Sequence, residues 1–202
     1  MSDPSPDPTP PPAPDPSPDR PPIAVPDLAD AAVRLRRPAE SDIPALVEAV
    51  ADPEIPRWTL VPQPYGEAEG RDFIRIGVEG PAAGTDVVFA WEAADAPGRL
   101  AGAVGVHDIE AGGCEIGYWT APWGRGRGLT TRAVRLVCAW ALDPDGLGLD
   151  VVQWRAIDGN AASQRIAERV GFRLTGLRRL SVVQRGVRRD EWCGDLLRGE
   201  VR

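Results

Sequence analysis

Trp123-Gly124-Arg125-Gly126-Arg127-Gly128-Leu129-Thr130 lies between a strand-like stretch, residues 114–119, and a helix-like one, residues 130–142. In the latter, Val134, Val137, Cys138 and Ala141 recur on one helical face. A loop in that position offers free backbone N–H groups and the positive end of a helix dipole. Glycines let the backbone approach a phosphate without side chains in between, so a pyrophosphate is the natural guest. Two other phosphate patterns do not fit. A Walker A loop needs Gly-Lys-Ser/Thr, and the chain has no lysine. The dinucleotide fingerprint wants a third glycine where Leu129 stands.

Outward from this loop, the apolar period sorts the chain into elements. Val33-Arg34-Leu35-Arg36 alternates like a half-buried strand and is stopped by Pro38. Ser41 or Asp42 is placed to cap a helix carrying Ile43, Leu46, Val47 and Val50. A proline-broken loop leads to a second helix over residues 67–76, with Phe73 and Ile76 inward. Residues 87–92, 100–106 and 114–119 read as three strands of an antiparallel meander, with turns at Ala96-Pro97-Gly98 and Gly112-Gly113. After the 130–142 helix come a strand (151–156), a helix (161–170) stopped by Gly171, and two strands (174–183 and 191–197) joined around Arg185-Gly186. The order describes a mixed α/β (α+β) sandwich, not a repeating βαβ fold.

Composition sets bounds on function. The chain has 202 residues, enough for one domain, and is 43% hydrophobic with no stretch long enough to span a membrane. It opens Met1-Ser2-Asp3-Pro4, without the basic and apolar regions of a secretory leader, which predicts a cytoplasmic protein. Cys114, Cys138 and Cys193 form no Cys-x-x-Cys pair, and His107 is the single histidine, so no metal site is expected. The cysteines read as small buried hydrophobes. Residues 1–30 hold six aspartates against Arg20, with Asp-Pro-Ser-Pro at Asp3 and again at Asp15. This segment reads as a disordered Pro/Asp-rich tail or a docking motif for a proline-recognising partner, ahead of a domain over residues 31–202. The tail takes −5 of the net charge of −7, so the domain has no global pull on an anion and any anion site is local. Arg178, Arg179, Arg185, Arg188 and Arg189 lack an aromatic stacking strip, so nucleic acid is not an expected partner.

A second segment, Asn160-Ala161-Ala162-Ser163 followed by Val170-Gly171-Phe172, reads by itself as a helix cap and stop. Together, the two segments in this strand order resemble the GNAT superfamily of acyl-CoA-dependent N-acyltransferases. Within it, residues 58–64, Glu115-Ile116-Gly117-Tyr118-Trp119 and the Asn160 segment resemble the ribosomal-protein N-terminal acetyltransferase-like group. The resemblance covers residues 33–197. It implies a single domain with a central, splayed, mostly antiparallel sheet, helices on both faces, and a pantetheine arm lying between two strands. It implies acetyl-CoA as acyl donor, an amine as acceptor, no membrane partner, and room for a homodimer. Tyr118, Trp119 and Thr120 would pair with the pantetheine by backbone. Arg125, Gly126, Arg127, Gly128, Leu129 and Thr130 would give amides to the pyrophosphate, and Asn160 would belong to the second cofactor segment. Two positions depart from the family: Trp123 replaces the usual Gln or Arg, and Ala167 stands where many relatives carry a catalytic tyrosine.

The candidate chemistry follows from the acceptor. A free α-amine titrates near ~7.7–8.0 and a lysine near ~10.4, so lysine needs a base and an α-amine needs little help. Glu115 shares a strand face with Gly117 and Trp119 and is either a base, acting through a water, or a solvated strand carboxylate. Histidine is the residue type suited to neutral pH, which makes His107 a second candidate or a structural strand-end residue. Ser163 is placed to hydrogen-bond the departing thiolate, or to cap its helix. Trp58, Trp91 and Trp119 would line an acceptor cleft or fill a core. Beside an active transferase stands a catalytically idle CoA-binding or sensing module.

Overall fold

Val33 and Leu35 alternate with arginines, and in the computed structural model, which describes residues 20–202, they are fully buried in the strand β2 (Val33–Arg36). A short strand precedes it, β1 (Leu28–Ala29). Then follow α1 (Ile43–Val50), α2 (Glu54–Trp58), α3 (Glu67–Ala83), β3 (Val87–Ala93), β4 (Leu100–Glu110), β5 (Gly113–Thr120), α4 (Leu129–Leu142), β6 (Val151–Ile157), α5 (Ala161–Val170), β7 (Arg173–Gln184) and β8 (Val187–Leu197). The strands form one sheet in the order β1-β2-β3-β4-β5-β6-β8-β7. All neighbours are antiparallel except β5 and β6.

That exception makes the site. β5 and β6 are paired only over residues 113–116 and 151–154. Beyond Ile116 and Trp154 they part: residues 117–120 keep their ladder to β4, and residues 155–157 theirs to β8. The sheet is splayed there, as the resemblance implied. Helices lie on both faces. Cys114 and Ile116 of β5 sit in the main core with Val134, Val137 and Val170 of α4 and α5, while Trp119 packs with Ile43, Leu46 and Ile74 of α1 and α3. Strand alternation thus sends Tyr118 towards α5, and Glu115, Gly117 and Trp119 towards the other face. Among the described residues no helix is long and apolar enough to cross a membrane.

Four expectations change. Residues 1–19 lie outside the described residues, but residues 20–30 of the expected tail belong to the fold. Ile23 N–H donates to Pro81 O at 2.8 Å, Ile23, Val25 and Leu28 pack on the core, and β1 pairs with β2. Asp30 accepts the N–H groups of Ala32 and Val33 and pairs with Arg132 at 2.8 Å. The tail's average composition masked these three apolar anchors. Second, the proline-broken segment contains α2, and α3 runs on past residue 76 to the left-handed stop at Gly84. Ile74 is buried, while Ile76 is 41% exposed. Third, Asp42 does not cap α1 with its side chain: its carboxylate accepts two bonds from Arg36 (2.7 and 2.8 Å) and the Ala39 N–H. Fourth, Cys114 and Cys138 are buried as expected, but Cys193 is only half-buried.

Deleting residues 1–19 is therefore expected to leave the melting temperature unchanged. Deleting residues 1–30 removes the three anchors and the Asp30 bonds. Each kcal/mol shifts a domain of this size by about 2–4 °C, so a loss of more than about 5 °C is expected in a thermal melt. Equal melts for the two truncations would refute this boundary.

Candidate active site

The parted strands leave a slot whose walls are residues 117–120 on one side and 155–157 on the other. Backbone N–H and C=O groups there have no ladder partner across the gap, and such groups seek one. The slot opens into a cavity of about 920 Å³, lined at one end by Arg125, Gly126 and Thr130 and at the other by Trp58, Phe73 and Glu115.

At the loop end, Thr120 Oγ1 and Thr130 Oγ1 are 2.6 Å apart, fastening the end of β5 to the first turn of α4. Gly126 and Gly128 have φ of 76° and 73°, and Gly128 is the N-cap of α4. A side chain at either position would point into open space. The arginines are already engaged. Arg125 makes a two-pronged pair with Asp52 (2.8 and 3.2 Å), Arg127 pairs with Asp95 at 2.5 Å, and Arg132 with Asp30. What the loop offers an anion is mainly backbone N–H.

Midway along the slot lies a polar cluster. Asn160 caps α5 by accepting the Ser163 N–H at 3.1 Å. Ser163 Oγ is 2.9 Å from the Tyr118 hydroxyl and accepts from Trp154 Nε1 at 3.0 Å. Trp154 Nε1 also reaches the Tyr118 oxygen at 3.1 Å, and the Tyr118 hydroxyl donates to Ser163 O at 3.0 Å. Burial pushes the Tyr118 phenol well up, which keeps it protonated. With the Tyr118 hydroxyl donating to Ser163 O and the Trp154 N–H to Ser163 Oγ, the serine proton is left to the Tyr118 oxygen or to a group in the slot.

A slot between splayed strands, ending on a glycine loop at a helix N-terminus, is the arrangement the sequence resemblance implied, and the family model described as Acetyltransferase (GNAT) domain matches residues 32–173. The chain belongs to the GNAT acetyltransferase family. YdaF of Bacillus subtilis (strain 168), named as a candidate ribosomal N-acetyltransferase, is 32% identical over 105 residues, 51% of this chain and 56% of that one. The chain thus matches just over half the length of this curated relative. A GCN5-related N-acetyltransferase from Brucella melitensis superposes with a TM-score of 0.72 at 26% identity, over 90% of this chain and 84% of that one. RimL, a ribosomal L7/L12 alpha-N-protein acetyltransferase solved with coenzyme A, shares the fold at a TM-score of 0.73 and 19% identity, over 83% of this chain and 95% of that one. YdaF is a part-length relative within this family, and RimL shows the shared fold.

On the opposite face of this GNAT sheet, Glu115 is half-buried and ion-paired to Arg155 at 3.2 Å. Burial pushes its carboxyl up, and Arg155 offsets only part of that rise. His107 stands opposite Glu115 in the β4–β5 register. The far wall is α2 with the segment after it, held by the β7–β8 turn. Gln184 Nε2 donates to the carbonyls of Pro56, Arg57 and Thr59, and Arg185 to those of Pro56 and Val61.

The cavity gathers Glu115, Tyr118, Trp119, Thr120, Arg125, Gly126, Thr130, Asn160 and Ser163. Arg127, Gly128 and Leu129 do not line it: Arg127 turns to Asp95, Gly128 starts the helix, and Leu129 is buried. Trp58 and Trp119 line the cavity, whereas Trp91 is core. Three groups escaped the sequence reading. The Tyr118 phenol was foreseeable from alternation, which aims it at α5. Trp154 needed the splay to be seen beside Ser163. Asp86 has no sequence signal, because its role depends on a fold-level contact with His107.

Proposed function

We propose that the protein moves an acetyl group from acetyl-CoA to a primary amine, either a protein N-terminus or a small molecule, by direct attack on the thioester. The observation that carries this reading is the splayed slot, with unpartnered backbone along its walls and free helix amides at its end. A pantetheine fits the walls, and a pyrophosphate fits the amides. RimL, of the same fold, was solved with coenzyme A. Glu115, Glu191 and Glu54 face the acceptor end against Arg155, a balance that favours a cationic amine. Glu115 or His107 takes the amine's proton. Ser163 donates to the leaving sulfur.

The test combines calorimetry with coenzyme A and thiol release from acetyl-CoA over an amine panel. The panel holds a lysine-free peptide with a free α-amine, an N-blocked peptide containing lysine, spermidine and glucosamine. Binding with turnover of at least one amine is expected; binding without any turnover would establish an idle CoA module instead.

Ser163→Ala should lower kcat by roughly 10–100-fold, the worth of a hydrogen bond to a charged group. Raising the pH should not relieve the defect, since the departing thiolate is indifferent to the amine's protonation. Trp154→Phe should show a smaller defect of the same kind. A pH-relieved defect in either variant, measured beside a melting curve, would overturn the leaving-group role.

A further inference from the structure

His107 is the last residue of β4 in regular register with β5, and the ladder shifts just after it. Asp108 has a φ of 50°, a left-handed backbone that costs a non-glycine residue on the order of 1–3 kcal/mol. Bulges of this kind re-aim side chains and gather beside active sites. Here Asp108 and Thr85 lie beside the Asp86 carboxylate and help to lower its pKa. The same carboxylate meets His107 Nδ1 at 3.0 Å. Asp86 is pinned from behind by α3, where a Cβ on Gly80 would fall 2.7 Å from the Asp86 Cβ. The Asp86 carboxyl is held below its usual range, first by the His107 bond. A neutral imidazole whose Nδ1–H donates to a carboxylate presents Nε2 as a bare acceptor.

That Nε2 has a definite place. It lies over Gly105 and Gly117, which face each other across β4 and β5: added Cβ atoms would come within 3.1 and 3.5 Å of it. Gly117 is the first residue of β5 beyond the parallel pairing, so Nε2 stands where the slot opens. The ring is 40% exposed and lines the cavity. Glu115 lies before that opening and is occupied by Arg155. The charged groups around His107 are Asp86 from the segment before β3, Glu115 of β5, Arg155 of β6 and Glu191 of β8 beyond it, and Asp108 on its own strand.

We propose that Asp86 and His107 form a dyad in which His107 Nε2 accepts the proton of the acceptor amine, Asp86 sets the ring's tautomer and aim, and Glu115 holds the cationic amine at the slot. The inference rests on the acetyl transfer proposed above and names its base. An ammonium sheds one proton to water through Nε2, and the neutral amine's lone pair attacks the thioester carbonyl carbon. As the C–N bond forms, Nε2 takes the second proton; the C–S bond breaks with its electron pair on sulfur, beside Ser163. The imidazolium proton returns through solvent to the thiolate. The products are amide, thiol and one proton, with nothing oxidised or reduced.

Because His107 is the sole histidine, nitrogen NMR of the untagged protein reads its tautomer without assignment. The expected spectrum shows Nδ1 protonated and Nε2 bare, with that preference lost in Asp86→Asn. With acetyl-CoA and the fastest amine of the panel, His107→Gln should lower kcat by roughly 10²–10⁴-fold. Its coenzyme A affinity should be unchanged and the acid limb of its pH–rate profile flattened. Asp86→Asn should lower kcat less. Glu115→Gln should raise KM for a cationic acceptor while keeping kcat. An Nε2-protonated ring, or a His107→Gln enzyme with the parent's kcat and pH profile, overturns the dyad. If His107→Gln is normal and Glu115→Gln loses kcat with relief at high pH, the base is Glu115. If the parent turns over no amine at all, it is the transfer reading that fails, and the base role falls with it whatever the tautomer.

Discussion

Gly128→Val is expected to weaken coenzyme A binding at least ~100-fold. A hydrogen bond from an amide to a charged phosphate oxygen contributes about 1.5–3 kcal/mol, and displacing two of them at the start of α4 removes roughly 3–6 kcal/mol. The displacement follows from backbone geometry. Gly128 holds a φ of 73° as the helix N-cap, a conformation that costs an ordinary L-residue about 1–2 kcal/mol, and a β-branched one is the least tolerant. A valine therefore drags the loop toward φ below zero, and the amides turn away. Gly126, at a φ of 76°, should respond in the same direction. Arg127→Ala is the contrast. Its guanidinium is already spent on Asp95 at the surface, and exposed pairs are worth about 0–1 kcal/mol, so affinity should change by less than about fivefold. Calorimetry of the three variants decides the matter. Arg127→Ala binding as poorly as Gly128→Val would mean that side chains, not amides, hold the pyrophosphate.

The second large effect concerns stability. Asp42 is 3% exposed and its carboxylate receives both guanidinium prongs of Arg36 together with the Ala39 N–H. Arg36 also lies 3.6 Å from Glu92, which is 5% exposed. Asp42→Ala leaves the largely buried guanidinium with its main partner gone and Glu92 at 3.6 Å as its remaining carboxylate, and breaking such a pair from one side costs about 3–5 kcal/mol. At about 2–4 °C per kcal/mol, the melt should fall by on the order of 10 °C. Replacing all three ionised partners at once, Arg36→Met with Asp42→Leu and Glu92→Gln, should lose less than Asp42→Ala alone, because no buried charge is then stranded. A loss below about 1 kcal/mol for Asp42→Ala would show that water reaches this pair.

Much of this architecture could be read from residue order. The β3–β4–β5 meander, the α4 and α5 helices and the β7–β8 hairpin follow from apolar period and turn residues, which are local signals. The loop end of the slot was legible for the same reason: the glycine loop and the Asn160 cap are short, contiguous motifs. The opposite end was not. Asp86 meets His107, Arg155 meets Glu115, and Asp42 meets Arg36 through pairings that no window of sequence displays. Ile23, Val25 and Leu28 were hidden by averaging over a proline-rich tail. Ile76 was misplaced because α3 continues through glycines and a proline that normally announce a stop.

The fastening of the α2 wall bears on how such a protein changes over generations. Gln184 and Arg185 grip the carbonyls of Pro56, Arg57, Thr59 and Val61, and those carbonyls are the same whatever side chains the wall carries. Residues 54–61 can therefore exchange Trp58 or Leu60 for other shapes without loosening the clasp. The residues proposed to hold coenzyme A, 118–163, lie outside that wall segment and are not touched by such exchanges. Attachment and wall shape are written in different atoms, so under the transfer proposed above a descendant can acquire a new amine while inheriting the proposed coenzyme A site whole.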